Sequence, residues 1–482
     1  MPSPFILSKD SKKGITREIR ESMTFGVIVG NRPFFPDALA KKGHDDIVEV
    51  IKNIGHKVVI LSEQDTPFGT VKTHEDAKEC AELFKVNAHN IDGIIITLPN
   101  FGDEKSIANT IRWADLQVPI LIHAESDDPN HMEVGKRRDS YCGKISVCSN
   151  LTQYGIPFSL TSNHTCPVDG DSFKEDIKTF AAVCRVVNGL KGARIGAIGA
   201  RPAAFNTVRY SEKILEAAGI AVETIDLSEI FGQVKALKTD DQVKDRINFI
   251  KSYVKIGEAA PPGSLEKLAK LAIVVEQWIE ANELDAIAFQ CWTAIEEYLG
   301  VAPCAMLSIL SNKLIPAACE VDVTGALSML ALELASGSTA ALLDWNNNYG
   351  DDPNKAVAFH CSNLPADLLQ NPTMDAHFSD SFKENTAYGT IFGRISPGPF
   401  TFARISTDDL VGDLMFYTGE GDFTDDQLET FGGYGVIEIP DLQDLIKQIC
   451  LSGFEHHFAA TRGNVAHIIT EALETYLNFV SK

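Results

Sequence analysis

Along the chain, short apolar runs alternate with segments whose apolar residues recur every three or four positions. The run FGVIVG, starting at Phe25, is followed by a helical period from Pro36 to Gly55 and then by KVVILSE. EDAKECAELFKVN, IDGIIITLPN, KSIANTIRWADL and VPILIHAES continue the alternation. This order predicts βαβ units on a parallel, flavodoxin-like sheet. The pattern restarts after SLTSNHTCPVDG with the helix SFKEDIKTFAAVCRVVNGL, the run ARIGAIGARPAAF, a helix through Ala218 and the strand IAVETIDL. A charged section from about Lys235 to Ser264 reads as helical with a turn at Pro261–Gly263. Strands resume at LDAIAFQ, LIPAACE and TAALLDW. From Asn346 onward, runs such as AVAFHCS, GTIFGRI, PFTFARIS and LVGDLMFYTGEG are separated by Gly, Pro, Asn and Asp, which predicts antiparallel strands. VAHIITEALETYLNFV has helical spacing and closes the chain. The expected fold class is α/β: two doubly wound (flavodoxin/Rossmann-like) parallel-sheet domains, 1–165 and 166–345, then a smaller β-rich C-terminal domain, 346–482, with a terminal helix.

Composition narrows the functional classes. At 482 residues the chain exceeds one hydrophobic core, and 44% hydrophobic with 23% charged residues is ordinary globular usage. A net charge of −23, spread along the chain, argues against nucleic acid and anionic membranes as partners. The ten cysteines form no C-x-x-C pair, and several sit in apolar stretches such as CAMLSIL, where a thiol behaves as a small hydrophobe. No apolar stretch is long enough for a signal peptide or a membrane span, so a cytoplasmic location is expected.

The chemistry gathers between Lys313 and Trp345. LIPAACE ends at Glu320, VDVTGALSMLALELASG is a helix closed by Gly337, and TAALLDW carries Asp344 near its end. A strand–helix–strand crossover would make both strands parallel and put both carboxylates at their carboxyl ends, where open α/β sheets bind ligands. LDAIAFQ would deliver Gln290 to the same edge. Two converging carboxylates call for a divalent cation, with hard oxygen ligands favouring Mg²⁺ or Mn²⁺. GFEHHFAATRGN offers His456 and His457 as a further donor, but chain geometry alone does not bring them to Glu320. His360 in AVAFHCS reads as a satisfied strand histidine and Cys361 as packing. The G-A-I-G-A-R of ARIGAIGARPAAF misses the G-x-G-x-x-G fingerprint, so no nucleotide cofactor is expected; Arg201 there would bind an anionic substrate group or cap the sheet edge.

CEVDVTGALSMLALELASGSTAALLDW resembles the metal-binding stretch of L-fucose isomerases, in which a Glu, an Asp, an Asn or Thr and a Gly precede a helix and a second acidic ligand. VGNRPFFP, DTPFGTV and the FHCS segment around His360 are similar to other parts of the L-fucose/L-arabinose isomerase family, and the likeness spans most of the chain. The resemblance implies Glu320, Asp344 and His457 as ligands of Mn²⁺ (or another divalent cation), with His456 as polar neighbour. It also implies a hexameric homo-oligomer in which the first domain of one subunit approaches another's active site, making Arg32 and Asn100 candidates for that contribution. The expected activity is metal-dependent aldose–ketose isomerisation of a monosaccharide through an enediol, with Glu320 and Asp344 as acid/base groups. Arg32, Gln290 and Asn346 would bind the sugar. A sugar epimerase or aldolase, or a non-catalytic sugar-binding protein, are the rival readings.

Overall fold

The computed structural model describes residues 3–10, 12–257, 260–376 and 387–482. The chain forms two compact units. One comprises residues 1–4, 20–188 and 471–477; the other comprises 5–19, 189–470 and 478–482.

The first unit is built on a five-stranded parallel sheet. Its order is Lys57–Ile60, Thr24–Val29, Gly93–Leu98, Ile120–Ala124, Ser159–Leu160. This is the flavodoxin-like order 2-1-3-4-5, as the alternation of runs predicts. Period-two alternation sorts the strand side chains onto two faces. Phe25, Val27 and Val29 pack with Ile47, Phe173 and Phe180 on one side. Ile28, Ile94 and Ile96 pack with Phe84 and Ile107 on the other. The sheet is therefore covered by helices on both faces, which is why its strands read as nearly continuous apolar runs. The segment Glu471–Leu477 belongs to this unit, where the Tyr476 hydroxyl accepts the Ile120 N–H at 3.2 Å.

A titratable histidine lies inside that core. His123 is wholly buried; its Nε2–H donates to the Cys166 carbonyl at 2.9 Å, so Nδ1 accepts from the Thr97 hydroxyl at 2.9 Å. Burial and the nearby Lys144 charge lower its pKa from 6.5 to about 4. The unfolded chain therefore binds the extra proton first. The stabilisation is full above pH 6.5 and is lost as pH falls from 6.5 towards 4, about 3 kcal/mol in all. Denaturant midpoints measured across this window should fall in the wild type and flatten in His123→Gln, which keeps a donor for Cys166. Equal losses in both proteins would discard this assignment.

Besides a two-stranded N-terminal hairpin, the described residues of the second unit form two sheets. The first is four-stranded and parallel, ordered Ala317–Cys319, Ala286–Phe289, Arg194–Ile198, Ala221–Ile225. An N-terminal hairpin, Phe5–Asp10 with Gly14–Ile19, joins this unit; Arg17 donates to the carbonyls of Leu284 and Asp285. The second sheet is a ten-stranded mixed one that receives the Gly- and Pro-punctuated strands predicted after Asn346. Pairing of Gly433–Glu438 with Asp413–Phe423 closes six of its strands on themselves, around Phe400, Phe402, Phe423 and Phe458. Among the described residues, no helix is long and apolar enough to cross a membrane.

The crossover expected around Glu320 and Asp344 takes a different form. Strand Ala340–Asn348 does not rejoin the parallel sheet. It lies in the ten-stranded sheet, antiparallel to both Lys355–His360 and His457–Arg462. The reason is the connecting helix, Val323–Ser336, in which every residue through Ala335 is buried. A helix that is apolar all round cannot expose one face to solvent as a surface crossover does. It is packed on several sides, by Ala286–Phe289 of one sheet and by Gly398–Asp408 and His457–Arg462 of the other. Asp344 is consequently a mid-strand residue rather than a strand-end one.

Candidate active site

Glu320 follows strand Ala317–Cys319 in a turn where Glu320 and Val321 both adopt left-handed backbone, φ 63° and 59°. That region is uncommon for residues with a Cβ and costly for a β-branched one. Backbone hydrogen bonds hold the turn: Val321 N–H to the Phe289 carbonyl at 3.3 Å and Asp322 N–H to the Cys319 carbonyl at 3.0 Å. Asp322 then caps the buried helix by accepting the Gly325 N–H at 2.8 Å. A Cβ at Gly325 would stand 2.4 Å from the Asp322 carboxylate, so this approach requires glycine.

Asp344 and His457 are directly opposed across an antiparallel pair. The His457 Nε2 lies 3.2 Å from Asp344 Oδ1 and 3.4 Å from Glu320 Oε2. Both distances exceed the 2.7–2.9 Å of a charge-assisted hydrogen bond. Glu320 Oε2 and Asp344 Oδ1 are buried and have no hydrogen-bond partner. Two ligands of one octahedral cation at about 2.1 Å stand about 3 Å apart. His457 Nε2 therefore stands about one coordination-shell edge from each oxygen, and the donor set, two carboxylates and an imidazole, fits a divalent cation. The Nδ1 of the same ring bonds the Asp322 carboxylate at 2.8 Å, which fixes its orientation and leaves Nε2 facing the two free oxygens.

A buried ionic network stands behind Asp322. The fully buried Arg404 donates from Nη1 and Nη2 to Asp322 at 2.6 and 3.0 Å, and from Nε to Glu455 at 3.1 Å. Ser406 donates to the other Glu455 oxygen at 2.6 Å. Burial would raise the Asp322 carboxyl, but the Arg404 charge and the His457 hydrogen bond hold it well below the usual carboxylate range. Burial likewise opposes charge on His457, and its bond to Asp322 with the nearby Asp344 and Glu320 carboxylates overrules it, raising its pKa well above 6.5. Asp344 is also lowered: burial opposes ionisation, and His457, followed by His360, favours it.

Aromatic side chains flank the carboxylates. Trp292 Nε1 points at Glu320 Oε1 from 3.4 Å, and Phe205 meets the Trp292 ring edge-on at 5.3 Å and the His457 ring at 6.4 Å. His456 is partly exposed, with Nε2 3.7 Å from Asp344; Asp344, His456 and His457 form one group able to hold a metal. His360 stands 5.7 Å from the His457 ring. Its Nε2 is buried without a hydrogen-bond partner, so it is not the satisfied strand histidine that the sequence suggests.

The structure thus brings together Glu320, Asp344 and His457, with His456 and His360 beside them. Gln290 is turned into the glycine turn of ARIGAIGARPAAF, where its Oε1 accepts the Ala200 N–H at 2.8 Å. Asn346 is exposed at a register shift between Trp345 and Asn347, beside Tyr349 and Phe431. Arg32 belongs to the first unit, paired with Glu104 at 2.7 Å and lying over the Phe101 ring at 4.2 Å. Asn100 in that unit is wholly buried and donates to Asn31 at 2.9 Å. Sequence reasoning passed over the roles of Asp322, Arg404, Glu455, Trp292 and Phe205.

Comparison with known proteins bears on this arrangement. Residues 26–191 match the fucose/sulfoquinovose isomerase N-terminal domain family, and 358–482 match the L-fucose isomerase C-terminal domain family, together more than half of the chain. The chain belongs to the L-fucose isomerase-like family. It is an aldose–ketose isomerase, an intramolecular oxidoreductase acting on a sugar. His360 and His457 fall inside the C-terminal match, whereas Glu320 and Asp344 lie between the two matched segments. The chain is 25% identical over 405 residues to sulfoquinovose isomerases of Priestia aryabhattai and of Priestia megaterium, covering 83% of this chain and 87% of each relative. A sulfoquinovose isomerase of Alkalicoccus urumqiensis is 24% identical over 387 residues, 79% of this chain and 83% of that protein. Isomerases of this family are generally metal-dependent, and the clustered donor groups suit that requirement.

Proposed function

We propose that this protein interconverts a monosaccharide aldose and its ketose through an enediol, with Glu320, Asp344 and His457 holding a divalent cation, Mn²⁺ first among candidates. The observation that carries the reading is the convergence of two unpartnered, buried carboxylate oxygens on one face of a histidine whose other face is tied down. A bound cation supplies Lewis-acid polarisation of the sugar's O1 and O2. Glu320 and Asp344 move the proton between C2 and C1, a role supported by two carboxylates that face one histidine. Asp322 and Arg404 keep His457 in register. Phe205 and Trp292 provide an apolar wall for the sugar's C–H face and exclude water. Gln290 and Asn346 contact sugar hydroxyls, and Arg32 serves the site of a neighbouring subunit in a cytoplasmic hexamer. The segments 1–165, 166–345 and 346–482 are the working domains. The relatives' names make sulfoquinovose the first sugar to test, followed by L-fucose and L-arabinose.

The experiment is chelation and reconstitution in deuterated water. EDTA should reduce ketose formation to background and Mn²⁺ should restore it, with deuterium at C1 of the ketose and at C2 of any aldose re-formed from it. Light scattering on the same sample reads the oligomer. Full activity in metal-free protein would remove the cation from the mechanism, and epimer or cleavage products would favour the rival carbon-acid chemistries.

A further inference from the structure

In the four-stranded parallel sheet the chain leaves Arg194–Ile198 for Ala221–Ile225 on one side, and Ala286–Phe289 lies on the other. Doubly wound sheets take their ligands in the crevice that opens where strand order reverses in this way. Gly199, just past the strand, has φ 81°, and a Cβ there would meet Gln290 Oε1 at 2.5 Å. The Gly199 N–H donates to the Ile225 carbonyl at 2.9 Å and the Ala200 N–H to Gln290 Oε1 at 2.8 Å. These bonds fix the turn that carries Arg201, and Pro202 keeps Arg201 out of helical backbone. Further along the loop, Phe205 packs against Trp292 and the His457 ring. The loop therefore starts at the crevice and reaches the carboxylate–histidine group.

Arg201 is partly buried, and its Nη1 donates to the Pro202 carbonyl at 3.1 Å. Among the described residues it pairs with no carboxylate, whereas Arg194, at the other end of the same strand, is paired with Glu223 at 2.7 Å. We propose that Arg201 binds a tetrahedral anion, sulfonate or phosphate, on the sugar carbon farthest from the carbonyl, and so selects anionic aldoses; this rests on the isomerase reading above. The chain's net charge of −23 repels such a substrate, so recognition requires a cation kept free of the protein's own carboxylates. A guanidinium presents its N–H groups as a planar fork that bonds two oxygens of such a group at once. Holding C1 and C2 at the carboxylate–histidine group and the anion at Arg201 fixes both ends of an open-chain sugar. That orients C2 for proton transfer.

The test compares sulfoquinovose, D-glucose 6-phosphate and D-glucose as substrates of the Mn²⁺-loaded full chain and of its Arg201→Gln and Arg201→Lys variants. The wild type should favour one of the two anionic sugars over glucose, and the favoured one names the anion. Arg201→Gln should raise KM for that sugar about 10–100-fold at near-constant kcat, and KM for glucose by a smaller factor. Arg201→Lys keeps the charge but loses the fork, and should recover part of the loss. Added salt should raise KM for the anionic sugar more in the wild type than in Arg201→Gln. Glucose as the preferred wild-type substrate would overturn the proposal and leave the isomerase reading intact, and so would equal losses on all three sugars in Arg201→Gln. If no sugar turns over with any divalent cation, the isomerase reading fails by itself. Tryptophan fluorescence titration of the metal-free protein with the two anionic sugars then decides: weaker binding by folded Arg201→Gln supports the anion site, and unchanged or absent binding overturns it.

Discussion

Replacing Asp344 by Asn should lower kcat by about 10,000-fold while leaving the fold intact, and Glu320→Gln should do the same. Each substitution preserves shape and removes one anionic oxygen from the pair that faces His457 Nε2. The size of the stability change separates a catalytic from a structural role. Without a cation, His457 holds the Asp344 carboxylate in its charged form, so losing that charge costs some stability. The metal-free Asp344→Asn protein should be only modestly less stable than wild type, and should bind Mn²⁺ more weakly. If Asp344 served only the fold, activity would instead follow stability downward. A variant with raised KM but near-normal kcat would move Asp344 from proton transfer to sugar binding. Chemical denaturation, metal titration and steady-state kinetics on one preparation distinguish these outcomes.

Much of this is legible in the residues before any coordinates. The apolar runs of the first 165 residues form strands because helices cover both faces of their sheet, leaving no polar alternation to blur the signal. Glu320 and Asp344 stand out as acidic residues at or near the ends of such runs. What misleads is the topology between them. VDVTGALSMLALELAS has almost no polar stripe, which is the mark of a helix buried on every side, yet the strand–helix–strand order predicts a surface crossover. Asp344 reaches the group through antiparallel pairing with His457, a non-local register that periodicity does not encode. The network behind His457 has a usable signal. In PFTFARIS, Arg404 continues the face of Phe400 and Phe402 at period two, and an arginine on an inward face requires buried carboxylates. Trp292 and Phe205 leave no such trace, because loop conformation alone aims them at Glu320 and His457.

That network predicts the largest stability effect in the molecule. Arg404→Met should destabilise the protein by about 3–5 kcal/mol, because Asp322 and Glu455 would remain buried without their shared cation. Asp322→Asn should cost less: Arg404 keeps Glu455, and the amide oxygen still accepts the Gly325 N–H at the helix start. The double variant should be more stable than the sum of its parts predicts, since the two charges that penalise each single change are then both absent. Function should separate from stability in the opposite order. Asp322→Asn weakens the hold on His457 Nδ1 directly and should lower Mn²⁺ affinity about 10–100-fold, the usual cost of losing an orienting partner behind a ligand. Arg404→Met leaves that hydrogen bond in place and should affect metal affinity less than it affects stability. Denaturant midpoints paired with metal titrations measure both orders. Strictly additive stabilities, or metal affinity untouched in Asp322→Asn, would mean that the buried pair supports the fold without tuning the histidine.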